Sequence, residues 1–334
     1  MISDLLMEKR PGDKGAWTPD PDEKMDLFGS LPFIGVHVVA LVGGILVGFS
    51  WAALAMCVAM YVLRMFAITA GYHRYFSHMS FKTSRWFQFV LAWIATSSTQ
   101  MGPMWWASHH RYHHMYSDTE ADVHSPILRT VYWAHCGWIL CKKYMQTIHR
   151  LVKDLARYPE LVWLNTWHVV PAVCLAFTML FTGMLAERYA PGLHTNGSQM
   201  LIWGFFVSTA FLYHGTFTIN SFCHLMGTRR YNTSDSSRNS LFLAIITLGE
   251  GWHNNHHRYP ASERQGFFWY ELDITHYILV VLSWFGIVWG LKGPSEEVLA
   301  EARFFDELKQ SLNPGDLSSM GIAETVAAKT ESPA

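Results

Sequence analysis

Long apolar stretches, not alternation, set the pattern of this chain. No Asp, Glu, Lys or Arg occurs from Leu27 to Leu63. A crossing takes about 20 apolar residues, so this part of the chain holds two helices, at about 31–49 and 51–70. A tight turn at Phe49-Ser50-Trp51 separates them. Arg64 falls inside the second and must either snorkel or face the protein interior. Uncharged runs from Leu161 to Ala186 and from Tyr189 to Thr228 each predict one further crossing, at about 162–185 and 201–223. The Pro191-Gly-Leu-His-Thr-Asn-Gly197 stretch marks the loop between them. Two other uncharged runs, Trp86 to His110 and Ile274 to Leu291, are long enough to be ambiguous. The N-terminal segment 1–30 precedes this body, which runs to about residue 292, and 293–334 reads as a polar tail, disordered from Asn313. The expected fold is an all-α membrane protein with four transmembrane helices.

Composition and charge then narrow the class. Of 334 residues, 50% are hydrophobic and only 15% charged, against about 25% charged in a soluble domain. The 25 basic and 26 acidic residues nearly cancel, which removes nucleic acid as a partner held by charge. Arg111, Arg129, Lys142, Lys143, Arg150, Lys153 and Arg157 precede the third crossing, whereas the loop after it carries only Arg188. By the positive-inside rule both termini and the polar regions face the cytoplasm. The five cysteines form no C-x-x-C pair, so neither a disulfide framework nor a zinc ribbon is expected.

The 18 histidines are not evenly spread. His73 and His78 form H-x4-H; His110, His113 and His114 form H-x2-H-H; His253, His256 and His257 repeat that spacing; and Asn220 precedes His224 by one turn. Positions i, i+3 and i+4 share a helix face, so each H-x2-H-H is expected to aim three imidazoles at one point. Nine imidazoles exceed what one ion takes, and two metals with four or five nitrogens each fit the count. The first two clusters can share a site only if Trp86–His110 does not cross, so that run is expected in the membrane plane or re-entrant. Every cluster then lies at the cytoplasmic edge of the four-span bundle, where a dimetal site is expected. Asp118, Glu120, Asp122, Asp235 and Glu250 are candidates to orient the imidazoles from behind. His37, His149, His168, His194 and His214 read as ordinary isolated histidines.

These motifs, with Trp106-Ala-Ser-His-His-Arg111, Asp118-Thr-Glu-Ala-Asp-Val-His124, His135-Cys-Gly-Trp138, Gly249-Glu-Gly-Trp-His253 and Trp269-Tyr-Glu-Leu-Asp273, resemble the membrane fatty acyl-CoA desaturases of the stearoyl-CoA Δ9 type, over about Leu31 to Lys292. The resemblance implies a mushroom-shaped protein whose cap holds two iron ions on the nine histidines, with Asn220 acting through a water. It implies O2 as co-substrate and a cis double bond, at Δ9, placed in a saturated chain carried as acyl-CoA or another acyl substrate. Gln100 and Trp106 would line the bend of the acyl tunnel, and Tyr61 and Met65 would close its methyl end. Lys142, Lys143 and Arg150 would meet CoA phosphates or, equally, anchor the protein to membrane lipid. The family's Asp-Pro-His stands here as Asp122-Val123-His124. No His-Pro-Gly-Gly haem segment occurs, so electrons are expected from an external carrier (cytochrome b5-like, ferredoxin or rubredoxin) with its reductase. The rivals are a diiron hydroxylase of lipid or alkane and, from other classes, a metal transporter or a membrane cytochrome. A transporter would place its ligands near the middle of the spans.

Overall fold

The computed structural model of the chain describes residues 22–311. The tail expected from Asn313 onward and most of the N-terminal segment lie outside them. In chain order the helices are α1 (Leu27–Val47), α2 (Trp51–Ser77), α3 (Arg85–Thr96), α4 (Pro103–Tyr116), α5 (Pro159–Thr166) and α6 (Val169–Tyr189). They continue with α7 (Gly197–His224), α8 (Leu241–Ile246), α9 (His253–Arg258), α10 (Ile274–Trp284) and α11 (Glu296–Ser311). Two short strands, β1 (Lys82–Thr83) and β2 (Val288–Trp289), pair antiparallel.

Four of these helices, α1, α2, α6 and α7, are long and apolar enough to cross a membrane. Side-chain caps fix where three of them begin. Asp26 accepts from Gly29 N at 3.0 Å, which starts α1 at Leu27, four residues ahead of the expectation. Ser50 caps α2 and Asn196 caps α7, the latter from Gln199 N at 2.9 Å. The third crossing begins at Val169, not near 162. Pro171 offers no N–H and its ring would collide with the carbonyl at 167, so the helix from Pro159 stops at Thr166 and restarts.

Neither ambiguous run forms a helix long enough to cross. Trp86 to His110 is split between α3 and α4, of 12 and 14 residues, about 18 and 21 Å long against a hydrocarbon core of about 30 Å. The 11-residue α10 is shorter still. Residues 296–311 were expected within a polar tail and instead form α11. Its Val298 and Ala302, one turn apart, are buried against Tyr231 and Phe267, an amphipathic spacing that the acidic composition of the segment masks.

Arg64 faces inward and is fully buried. It donates to Thr209 Oγ1 (2.7 Å) and Ser208 Oγ (2.5 Å) of α7 and to the Ser97 carbonyl at the end of α3 (3.4 Å), so it ties three elements together.

Candidate metal centre

Four elements carry the histidine motifs to one end of the bundle. The last turns of α2, from Ala67 to Ser77, are wound as a π-helix. In that register, i→i+5 hydrogen bonds bring residues five apart close to one face, so His73 and His78 meet, their ring centroids 5.0 Å apart. The start of α4 is fixed by Gly102, where a Cβ would strike Asn165 Cα at 2.4 Å; Asn165 Oδ1 in turn accepts from Trp105 N at 2.8 Å. His224 ends α7, and α9 is little more than the third motif itself.

The nine imidazoles sort into two groups, each with its nitrogens within 4.8 Å of one another: His73, His78, His110, His114 and His256, and then His113, His224, His253 and His257. The expectation that each H-x2-H-H serves one point needs correction. Residues i and i+4 stay together in both motifs, but His113 leaves His110 and His114, and His256 leaves His253 and His257. Three residues at about 100° per step fan over more than one direction, and two centres lie on either side of that fan.

Within the group of five, Nε2 atoms face each other: His78–His110 at 2.8 Å, His110–His114 at 3.0 Å, His114–His256 at 2.8 Å and His256–His73 at 3.0 Å. In the group of four, His253 and His224 face at 3.2 Å. The rear nitrogens of four rings meet carboxylates: His113 with Asp122 (3.2 Å), His224 with Asp118 (3.3 Å), His257 with Asp235 (2.7 Å) and His73 with Glu250. A ring that donates its Nδ1–H backwards points an Nε2 lone pair forwards. Lone pairs converging at such distances repel unless a cation lies among them, and buried His257 Nε2 has no hydrogen-bond partner among the described residues. The donor set fits a metal ion at each group.

Electrostatics support that fit. Burial, helped by neighbouring rings, holds His78, His110, His114, His253 and His256 far below the ordinary imidazole value, so they are neutral, as ligands must be. Burial takes His257 down to about 4 against the pull of Asp235. Burial alone would raise Asp118, Asp122 and Asp235, but their imidazole partners outweigh it and hold all three well below the usual carboxylate range. Glu120, the fifth candidate acid, is exposed at the edge of the cap and meets no ligand.

A cavity of about 430 Å³ abuts the group of five, with His73 and His110 on its wall. The rest of the wall is mostly apolar, from Phe33, Val36, Ile68, Trp105, Trp138 and Phe217. Gln100, Trp106 and Asn220 also line it; Gln100 Nε2 donates to Thr216 Oγ1 at 3.1 Å, and Trp106 stacks on His110 at 5.1 Å. The other proposed substrate residues lie off the wall. Tyr61 and Met65 pack behind Gly215, where any Cβ would meet both, and Tyr61 Oη donates to the Ile246 carbonyl at 2.6 Å. Lys142, Lys143 and Arg150 are exposed on the cap surface.

Several residues passed over in the sequence belong here. Buried His124 joins His113 and Asp122, and lines the cavity with His109 and His168. Arg74 is fully buried and binds Glu250 (3.0 Å), Asp273 (2.9 Å) and Glu263 (3.5 Å) directly behind His73. Only its place between two motif residues marked Arg74 in the sequence. His37 and His214 are not isolated either: His37 Nε2 meets His214 Nε2 at 3.1 Å, and His214 Nδ1 meets His135 Nε2 at 3.0 Å, which latches α1 to α7.

A family model for fatty acid desaturases matches residues 49–285. The sn-1 stearoyl-lipid 9-desaturase of Anabaena variabilis is 33% identical over 265 residues, 79% of this chain and 92% of its own length. A chloroplastic palmitoyl-monogalactosyldiacylglycerol delta-7 desaturase of Arabidopsis thaliana is 32% identical over 303 residues, 89% of this chain and 76% of its own. An acyl-CoA C20 Delta5-desaturase of Anemone leveillei is 34% identical over 275 residues, 81% and 83% of the two chains. Two clustered sets of imidazoles, one of them on the wall of an apolar cavity, on a four-helix membrane bundle thus come with a match over most of the chain, and the protein belongs to the fatty acid desaturase family.

Proposed function

We propose that the protein is an O2-dependent desaturase that places a cis double bond, at Δ9, in a saturated acyl chain, at two irons held by the nine histidines. The observation that carries this reading is the shared wall: His73 and His110 belong both to the group of five and to the cavity. Bound there, iron would supply O2 activation and the removal of two hydrogens from the chain. The balance is two hydrogens from the chain, two electrons and two protons from outside, and O2 leaving as two waters.

The protein's own work is binding, orientation and exclusion of water. An apolar wall stabilises the chain by about 25 cal/mol per Å² buried and keeps solvent from the reacting carbons. The Gln100–Thr216 hydrogen bond and the Trp106 ring fix where the chain bends relative to His110. Asp118, Asp122, Asp235 and Glu250 hold the imidazoles in the ligating tautomer. Asn220, on the cavity wall one turn before His224, is placed to hold a water toward the group of four. All nine histidines lie at one end of the bundle, which disfavours a transport pathway through it. We place that end and both termini in the cytoplasm, on the basic residues ahead of α6.

Expression in a strain lacking unsaturated fatty acids, with double-bond positions determined by mass spectrometry, tests the reading. A cis Δ9 product is expected; hydroxylated chains without a double bond would make it a hydroxylase. Electrons come from a separate carrier, so purified protein with NAD(P)H alone should be inactive. It should gain activity on adding a reductase with a cytochrome b5-like protein, ferredoxin or rubredoxin. Turnover with NAD(P)H as the only addition contradicts the external carrier.

Tyr61 and Met65 are proposed to stop the methyl end of the chain from one layer behind the wall. Met65→Ala should raise the C18:C16 product ratio by about fourfold per methylene admitted, at about 0.8 kcal/mol each. An unchanged ratio in a folded, iron-loaded variant removes Met65 from this role.

A further inference from the structure

We propose that a second, polar cavity on the cap is the passage by which iron reaches both histidine groups, and that its oxygens hold the incoming ion first. This rests on the two-iron reading and adds the route of loading. The cavity has a volume of about 460 Å³. His114, of the group of five, and His257, of the group of four, both line it, and their ring centroids lie 4.5 Å apart. The cavity therefore abuts the seam between the two groups, where one entrance serves both. Met115, Thr119, Asn232 and Ser234 belong to the same wall, are exposed, and form its rim.

A hydrated dication gives up water only where other oxygens or nitrogens replace it, so an apolar passage excludes it. The acyl cavity also reaches the group of five, but its wall is mostly apolar. The second cavity is built differently. Three carboxylates line it, Asp118, Asp235 and Glu301, with the guanidinium of Arg258. Asp118 and Asp235 stand behind the ligands His224 (3.3 Å) and His257 (2.7 Å), so their charge draws a cation toward the rings they orient. Ser117 Oγ, on the same wall, is buried and has no hydrogen-bond partner among the described residues, which leaves an oxygen to replace a water. Glu301, the most exposed of the three acids, accepts from Arg258 Nε at 2.8 Å, which ties α9 to α11 beside the rim. The two side chains are 40% and 28% exposed, and so exposed an ion pair opens readily.

The test times iron exchange in the full-length, iron-loaded protein in detergent, without oxygen. Release is followed with an excess of a charged, water-soluble chelator, and reloading by adding Fe2+ to the stripped protein. Ser234→Trp, which narrows the rim, should slow release and loading at least tenfold each, with the dissociation constant within about threefold of wild type. An obstruction in a path changes both rates alike and leaves the equilibrium where it was. Thr119→Trp provides the same measurement if Ser234→Trp fails to fold. Glu301→Ala should quicken both rates about threefold, since it opens an exposed pair. Ala172→Phe, which narrows the acyl cavity instead, should change neither. Wild-type rates in the folded tryptophan variant overturn the proposal, as does exchange slowed by Ala172→Phe alone. A weaker dissociation constant with loading unchanged makes the cavity a structural support and overturns the passage too. Wild-type protein that binds no Fe2+ overturns the metal centre itself and this route with it.

Discussion

His113→Ala should lose about one metal per chain and His256→Ala about one as well, because each removes a ligand from a different group. The double variant should lose both. Each single variant should retain less than about 1% of desaturase activity, since removing a ligand and the orientation it imposes costs orders of magnitude in affinity and rate. Metal analysis of purified protein reads this directly, with His194→Ala as the control, an exposed residue in the loop before α7. His168, which sequence reasoning would pick as a control, lies on the cavity wall and is unsuitable. Retention of both metals by His256→Ala would dissolve the two-group assignment, and stoichiometric zinc with full activity would remove iron. Stripping the metals should also lower thermal stability, because ions that bind only the folded state stabilise it by mass action.

The second large effect is expected at Arg74. Among the described residues its guanidinium is the one Arg or Lys group that meets these three buried carboxylates, with Glu250 and Asp273 at 3.0 and 2.9 Å. Arg74→Met keeps bulk but leaves those carboxylates uncompensated, a cost of about 3–5 kcal/mol. It also frees Glu250 from its position behind His73, so the group of five should bind metal more weakly. Gly249 has φ +129° and its Cβ would collide with Asp273, which shows how tightly the backbone is drawn onto this network. Thermal unfolding in detergent should show a large loss for Arg74→Met, partly recovered when Glu250→Gln and Asp273→Asn are added. A stability within about 1 kcal/mol of wild type would show that the network contributes little.

Much of the candidate site was legible in the residue order, because the metal ligands come as local motifs. His110, His113 and His114 need only a helix to lie near one another, and that local geometry is fixed by spacing. The even number of crossings between motifs brought them to one side. The back-up acids were half legible: Asp118 and Asp122 lie beside a motif, Glu250 within one, while Glu120, equally close in sequence, is exposed. What failed were judgements that depend on distant partners. His37 and His214 are 177 residues apart, and nothing local marks them as hydrogen-bonded. Tyr61 and Met65 share a helix face as their spacing requires; that this face packs behind Gly215 of α7 was set by a partner far along the chain.

The sequence alone determined that the chain is a four-crossing helical membrane protein, since runs free of charge have no other stable solution in lipid. It also determined which nine imidazoles gather, because their types and spacings are local. Only the tertiary structure decided how the nine divide into five and four. In an α-helix His73 and His78 would point about 140° apart; the π-helical turn that brings them together is held by the packing of α2 against α3 and α4. The cavity wall and the burial of Arg74 were likewise settled in three dimensions. Each depends on surfaces that meet across long sequence separations, where no residue's own chemistry names its neighbour.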